Sequence, residues 1–214
     1  MGDDSLPLSI LIADDHPIII VALAEMIKAA FGEHRVLVGS VTGSDALLFR
    51  LQAEVWRCLV LDLHMPGRLN SAPLLQAVLT QLPDLQVVIY TGSEQPFLAQ
   101  TLMELGARGF VSKASGPEVA IEAINAVIAG GRYVDPAIDL DVAAKHPWRQ
   151  LTSGERAVII SLARGENLQA IAIDSNRSYK TVAFHKYNAF RKLGLKSKDE
   201  IGKYLVQHGL DYLL

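Results

Sequence analysis

The stretch Cys58-Leu59-Val60-Leu61-Asp62-Leu63-His64-Met65-Pro66-Gly67 decides how this chain folds. Its first four residues are an unbroken apolar run, the pattern of a parallel strand buried on both faces. Pro66 and Gly67 stop the run and open a loop. Asp62 therefore stands at the carboxyl end of a strand, where open α/β sheets bind their ligands. Three further runs end in polar residues. Ile10-Leu11-Ile12-Ala13 ends in Asp14-Asp15, Val87-Val88-Ile89-Tyr90 in Thr91-Gly92, and Gly109-Phe110-Val111-Ser112 in Lys113.

Placed on one sheet edge, these residues make a site. Three carboxylates converge, an arrangement that calls for a cation. Their ligand atoms are hard oxygens, so Mg²⁺ is the expected metal, held by few protein groups and several waters. A bound Mg²⁺ offsets the repulsion between an incoming phosphoryl group and the acidic residues. Asp62 can then act as nucleophile, as carboxylates do in aspartyl-phosphate chemistry. Lys113 brings a compact positive charge to the phosphoryl oxygens. The Thr91 hydroxyl can turn toward the group once it arrives. Each residue also has a plainer reading. Asp14 and Asp15 can cap a helix opened by His16-Pro17, and Asp62 can serve the turn before Pro66. Thr91 can be a strand-end hydroxyl and Lys113 a solvated loop charge. The conjunction at four strand ends favours the chemical reading.

Asp14-Asp15, Asp62, Thr91 and Lys113, each after an apolar strand, resemble the receiver domain of a two-component response regulator, over roughly residues 8 to 130. The resemblance implies a flavodoxin-like fold of five parallel strands and five helices. It also implies Mg²⁺ dependence and phosphorylation of Asp62 by a histidine kinase or phosphotransfer protein. Asp14, Asp15, Asp62 and the backbone carbonyl of His64 would hold the metal. Phe110 matches the family's switch aromatic, which turns inward when Thr91 engages the phosphoryl group. Two departures stand out. Ala114 follows Lys113 where many receivers have proline, and Arg68-Leu69-Asn70-Ser71-Ala72 lacks the glycine that usually shapes this loop.

The 214 residues suit one large or two ordinary domains, and half of them are hydrophobic, ample for a core. No run of about 18 apolar residues suggests a membrane span. Met1-Gly2-Asp3-Asp4 lacks a secretory pattern. The single cysteine, Cys58, falls in a buried strand and reads as a core residue in a reducing compartment. A cytoplasmic protein is expected. Charge is uneven. Residues 1–147 hold 9 Lys/Arg and 17 Asp/Glu, and residues 148–214 hold 11 and 6. An acidic domain joined to a basic one that meets a polyanion follows.

Helical patterns cover Pro17–Phe31, Ser44–Ala53, Ala72–Gln81, Pro96–Leu105 and Pro117–Ala129, the last stopped by Gly130-Gly131. Residues 1–131 are therefore taken as one domain and 132–149 as a linker, with a short helix near Ile138–Lys145. Residues 150–214 read as an all-α domain of four helices. Thr152 and Glu155 have capping-box spacing before Arg156–Ala163. Leu168–Asp174, the turn Ser175-Asn176-Arg177 and the Ser178-capped helix Tyr179–Leu193 give a helix-turn-helix outline. A fourth helix spans Lys198–His208.

In Tyr179–Leu193 the inward stripe is Val182, Ala189, Leu193 and Phe190. Tyr179, Lys180, Thr181, Ala183, Phe184, His185, Lys186, Tyr187 and Arg191 are the candidate DNA contacts, cations toward phosphate and early residues toward base edges. Leu151-Thr152, Glu155-Arg156, Gly165, Ile171-Ala172, Thr181-Val182, His185 and Lys192-Leu193-Gly194 resemble the LuxR-type DNA-binding domain. The whole chain resembles a NarL/FixJ-type response regulator, and Asn176-Arg177-Ser178 with Lys180-Thr181 is similar to the RcsB-like capsule-synthesis regulators. Departures are Ala170 for Glu, Ser175 for a core Leu, and Ala183 for a base-contacting Lys or Arg.

The expected function is a phosphorylation-switched transcription factor. It would read double-stranded promoter DNA as a homodimer, and the RcsB-like resemblance would allow a heterodimer with an auxiliary regulator. Catalysis would stop at slow self-dephosphorylation of Asp62, with no substrate turnover. A partner-dependent regulator whose basic domain binds protein or RNA is the alternative. A haloacid-dehalogenase phosphatase is disfavoured, because His64 stands where that family places its second Asp.

Overall fold

The computed structural model describes residues 7–214, so the acidic Met1–Asp4 stretch lies outside the described residues. The chain divides into two compact units. One gathers the chain up to Gln95 with Ala99–Ile138, the other Asp139–Leu214 with Pro96–Leu98.

Strands and helices alternate through the first part of the chain. They are β1 (Leu8–Ala13), α1 (Pro17–Phe31), β2 (Val36–Val41), α2 (Ser44–Ala53), β3 (Cys58–Leu61), α3 (Ser71–Gln81), β4 (Gln86–Thr91), α4 (Pro96–Leu105), β5 (Gly109–Ser112), α5 (Pro117–Ile128) and β6 (Tyr133–Val134). All neighbouring strands pair in parallel, in the order β2-β1-β3-β4-β5-β6. Among the described residues the sheet thus has six strands where five are expected. The sixth lies in the stretch expected as linker, where Tyr133 and Val134 pair with Gly109 and Phe110. Two residues are too short to show a period, which hides this strand from sequence patterning.

Helices on both faces explain the continuous apolar runs. Ile10, Ile12, Val60, Val88 and Val111 share a buried cluster with Leu23 and Ile27 of α1 and with Ala123, Ile124 and Val127 of α5. Leu11, Leu59, Leu61, Val87, Ile89 and Phe110 alternate with them and are also fully buried. Cys58 is a core side chain whose thiol burial pushes up to about 12, so it stays protonated and inert.

Edge strand β2 pairs with β1 along its length and is further held by Arg50 and Trp56. Arg50 Nη1 donates to the Ser40 carbonyl at 2.9 Å, and its guanidinium sits 5.2 Å over the Trp56 ring. The Trp56 ring lies so close under Gly39 that a Cβ there would come within 2.4 Å of its Cη2.

After Gly67, the stretch Arg68–Ala72 that leads into α3 takes its shape without a further glycine. Ser71 is buried with a left-handed φ of 52°, and its N–H donates to the Leu63 carbonyl at 2.8 Å. A side chain in that conformation costs about 1–2 kcal/mol. Ser71→Gly should therefore raise the unfolding midpoint by a few degrees, the strain relieved outweighing glycine's extra chain entropy of about 0.5–1 kcal/mol. Thermal melts check this; a lowered midpoint would mean the Ser71 hydroxyl holds the loop.

The second unit is helical, with α6 (Leu140–Ala144), α7 (Ser153–Ala163), α8 (Leu168–Asp174), α9 (Tyr179–Leu193) and α10 (Glu200–Gln207). The capping box at α7 is formed: Glu155 N–H donates to Thr152 Oγ1 at 3.2 Å, and Thr152 N–H to Glu155 Oε2 at 2.8 Å. Ser178 caps α9 through the Thr181 N–H, and Gly194, at φ 70°, ends it. Val158, Ile159, Leu162, Val182, Ala189 and Leu205 make the core. Lys192 Nζ reaches buried Glu155 at 2.7 Å and ties α9 to α7. Burial raises the Glu155 pKa, but the Lys192 and Thr152 hydrogen bonds outweigh it and hold the carboxyl below its usual range.

Candidate functional site

Four strand ends of the first unit meet at one sheet edge. Register makes this happen: Ala13 lies beside both Val41 and Leu61, Leu61 beside Ile89, and Thr91 beside Ser112. The ladder continues past the strands, with Asp14 N–H donating to Val41 O at 3.1 Å and Asp62 N–H to Ala13 O at 2.8 Å. Asp14 and Asp62 are thus side by side, and both are buried. Lys113 Nζ lies 2.7 Å from Asp14 Oδ2 and 2.7 Å from Asp62 Oδ2. Burial depresses the Lys113 ammonium, but its hydrogen bonds to Asp14 and Asp62 prevail and hold its pKa above the ordinary lysine value.

Neither Asp14 nor Asp15 is the helix cap. The α1 N-cap is His16, followed by Pro17. Asp14 Oδ1 instead accepts the His16 backbone N–H at 2.9 Å, and the His16 Nδ1 lies 2.8 Å from Asp15 Oδ1. One donor atom each from Asp14, Asp15, His16 and Asp62 lies within 4.8 Å of the others. The grouped carboxylate oxygens are the hard donors that a small divalent cation such as Mg²⁺ takes. The oxygen-rich donor set fits that ion. His16 was not singled out by sequence, although its position beside Asp14-Asp15 was the available signal.

Thr91 and Phe110 are both fully buried, at the ends of β4 and within β5. The Thr91 hydroxyl accepts the Ser93 N–H at 3.4 Å. His64 is exposed, and its N–H donates to Asp62 Oδ1 at 3.3 Å. The loop behind Lys113 is set without proline. Ala114 N–H donates to Ser112 Oγ at 3.1 Å, a bond proline could not make. The Ser112 N–H donates to Asp135 Oδ2 at 3.0 Å, and Ala137 N–H to Asp135 Oδ1 at 2.9 Å. Asp135 is 2 % exposed. Sequence reading missed Ser112 and Asp135, because partners 23 residues apart carry no local pattern.

Asp135→Ala would leave two N–H groups unpaired. A cost of about 2–3 kcal/mol in urea unfolding is expected, together with slower phosphoryl uptake from acetyl phosphate. Unchanged stability would mean water replaces the carboxylate.

The second candidate surface is α9. Val182, Ala189 and Leu193 are buried and Phe190 half-buried against the core. Tyr179, Lys180, Thr181, Phe184, Tyr187 and Arg191 are exposed; Ala183, His185 and Lys186 are half-buried. His185 packs on α7, where a Cβ at Gly154 would come within 3.1 Å of its ring. The Thr181 hydroxyl pairs with that of Ser178 at 2.8 Å. Ser175 is exposed at the end of α8, its Oγ donating to Ile171 O.

A parallel sheet with an acid-lysine cluster at its carboxyl edge, followed by a basic helix-turn-helix unit, defines a two-component regulator. Residues 10–125 match the response regulator receiver domain, and residues 149–205 match the luxR family of bacterial regulatory proteins. The chain therefore belongs to the response regulators, as a transcription factor of the LuxR type. It is 30% identical to the response regulator GacA of Pseudomonas aeruginosa over 212 residues, 95% of this chain and 97% of that one. A structure of two RcsB dimers bound to two parallel DNAs is 26% identical with a TM-score of 0.65, covering 94% of this chain and 99% of RcsB. RcsB from Salmonella enterica serovar Typhimurium, bound to the rprA promoter with the phosphomimetic BeF3⁻, is 25% identical with a TM-score of 0.66, covering 94% and 98%. Among the described residues no helix is long and apolar enough to cross a membrane.

Proposed function

We propose that Asp62 is the phosphoacceptor and that its phosphorylation switches duplex-DNA binding by α9. The observation that carries this is the Lys113 ammonium, 2.7 Å from both Asp14 and Asp62, where it can follow charge onto an arriving phosphoryl group. The donor is a histidine kinase or phosphotransfer protein. An Asp62 carboxylate oxygen attacks phosphorus, the phosphorus–nitrogen bond of the donor phosphohistidine breaks, and the leaving imidazole keeps the electron pair and takes a proton. Asp14, Asp15, Asp62 and the His64 backbone carbonyl would hold Mg²⁺. When bound, it offsets the negative charge of the phosphoryl group and carboxylates.

Lys113 and Thr91 contact the phosphoryl oxygens, and Thr91 and Phe110 form the switch. Phosphorylation acts by favouring one of two pre-existing states of the receiver surface. The receiver, expected over residues 1–131, is assigned a carboxyl end at Ile138 so that it includes β6 and Asp135, with the linker at 139–149 and the DNA-binding domain at 150–214. The outcome is a homodimer on two half-sites, with Tyr179, Lys180, Thr181, Ala183, Phe184, His185, Lys186, Tyr187 and Arg191 as the DNA-facing residues. RcsB, bound to promoter DNA with BeF3⁻, supports carrying this scheme to the present chain.

Selection of sites from a random duplex pool, with and without beryllofluoride and Mg²⁺, tests the scheme. A two-half-site motif enriched more strongly with beryllofluoride is the expected result. Equal enrichment would remove the switch, and no motif in either condition would move the output to a protein or RNA partner.

A further inference from the structure

The exposed face of α9 has an uncommon composition for a DNA-reading helix. At 100° per residue, Lys180, Phe184, Tyr187 and Arg191 fall on one stripe opposite buried Val182 and Ala189. The structure exposes all four, with Phe184 at 61% and Tyr187 at 65%. The stripe therefore reads cation, aromatic, aromatic, cation. Its ends are 11 residues apart, about 16 Å along the axis, against a major groove about 12 Å wide. Lys180 and Arg191 can reach phosphates on the two rims while the aromatics face the floor. The helix carries no acidic residue to oppose this docking.

We infer that Phe184, with Tyr187 beside it, makes thymine methyl groups the specificity determinant of each half-site. This rests on the duplex-DNA reading above. A phenyl ring offers base edges no donor or acceptor. Set against guanine O6 or N7, adenine N6 or cytosine N4, it would strip water from a polar group and return nothing. The thymine 5-methyl is the apolar group on the major-groove floor that it can bury against. Other polar readers on this part of the helix are limited: the Thr181 hydroxyl already pairs with Ser178, and position 183, beside the stripe, is alanine.

The test is thymine-to-deoxyuridine exchange, which removes only the methyl. The full chain with beryllofluoride and Mg²⁺ is titrated with its selected duplex, each thymine of the half-site exchanged in turn, and a flanking thymine as control. Exchange of a contacted thymine should weaken binding about fourfold, the burial of one methyl. Phe184→Ala should bind thymine and deoxyuridine duplexes equally, whereas Phe184→Leu should keep a preference for thymine. Lys180→Ala should weaken both duplexes alike. Phe184 is exposed, so its substitution leaves the core intact. Equal affinity of the unaltered protein for both duplexes overturns the inference while leaving the duplex reading intact. Tighter binding to the single strand than to the duplex overturns both.

Discussion

Asp62→Ala protein incubated with acetyl phosphate and Mg²⁺ is expected to stay unphosphorylated on a phosphate-affinity gel. The loss should be on the order of 10³ or more, as when other proteins lose a covalent nucleophile. The fold should survive. Lys113 keeps its 2.7 Å partner Asp14, and one of three crowded carboxylates disappears. Beryllofluoride, which needs the Asp62 oxygen, should then leave both the melting temperature and the DNA affinity of the variant unchanged. Uptake that persists in Asp62→Ala would move the acceptor to Asp14 or Asp15 and sink the assignment.

Gly39→Val should be strongly destabilising. A Cβ at position 39 would stand 2.4 Å from Trp56 Cη2, 3.0 Å from Cζ2 and 3.1 Å from Arg50 Nη2. The Trp56 ring is buried and cannot swing out cheaply, and Arg50 is engaged at the Ser40 carbonyl. Overpacking of this kind costs about 3 kcal/mol, on the order of 10 °C in melting temperature. The clash is specific, so it should be relieved by Trp56→Leu. In a double-mutant cycle the pair should be more stable than the sum of the single changes predicts. Additive losses would show that Gly39 is needed for its backbone alone.

The parallel sheet was legible because β1, β3 and β4 are buried on both faces and read as unbroken apolar runs. The meeting of Asp14, Asp15, Asp62 and Lys113 was legible for the same reason, since strand ends are where such runs stop. Edge strands were not. β2 is covered at only Val36 and Gly39, and Leu37 is 54% exposed, so its sequence lacks the signal. β6 is two residues long and follows a glycine pair that reads as a domain end. The His16 ring and the Ser112–Asp135 bond depend on tertiary proximity, which no periodicity encodes. In the second unit the caps announced the helix starts, because capping chemistry is local: Thr152 with Glu155, and Ser178. The last helix is shorter than its pattern, Glu200–Gln207 against Lys198–His208, because its ends turn on backbone bonds outside the helical ladder.

Asp135 has a bearing on how such regulators can be cut and recombined. By sequence it falls after the last receiver helix, in chain that an engineer would assign to a tether and exchange freely. Yet it holds the residue before Lys113, and Asp135 N–H donates to the Phe110 carbonyl at 2.8 Å. A hybrid spliced at Gly131 would keep every acidic residue of the phosphoryl pocket and still lose the stitch behind its lysine. Splices beyond Ile138, where the compact unit ends, would carry that stitch along. The interchangeable part of this protein is therefore longer at its carboxyl end than its helices suggest.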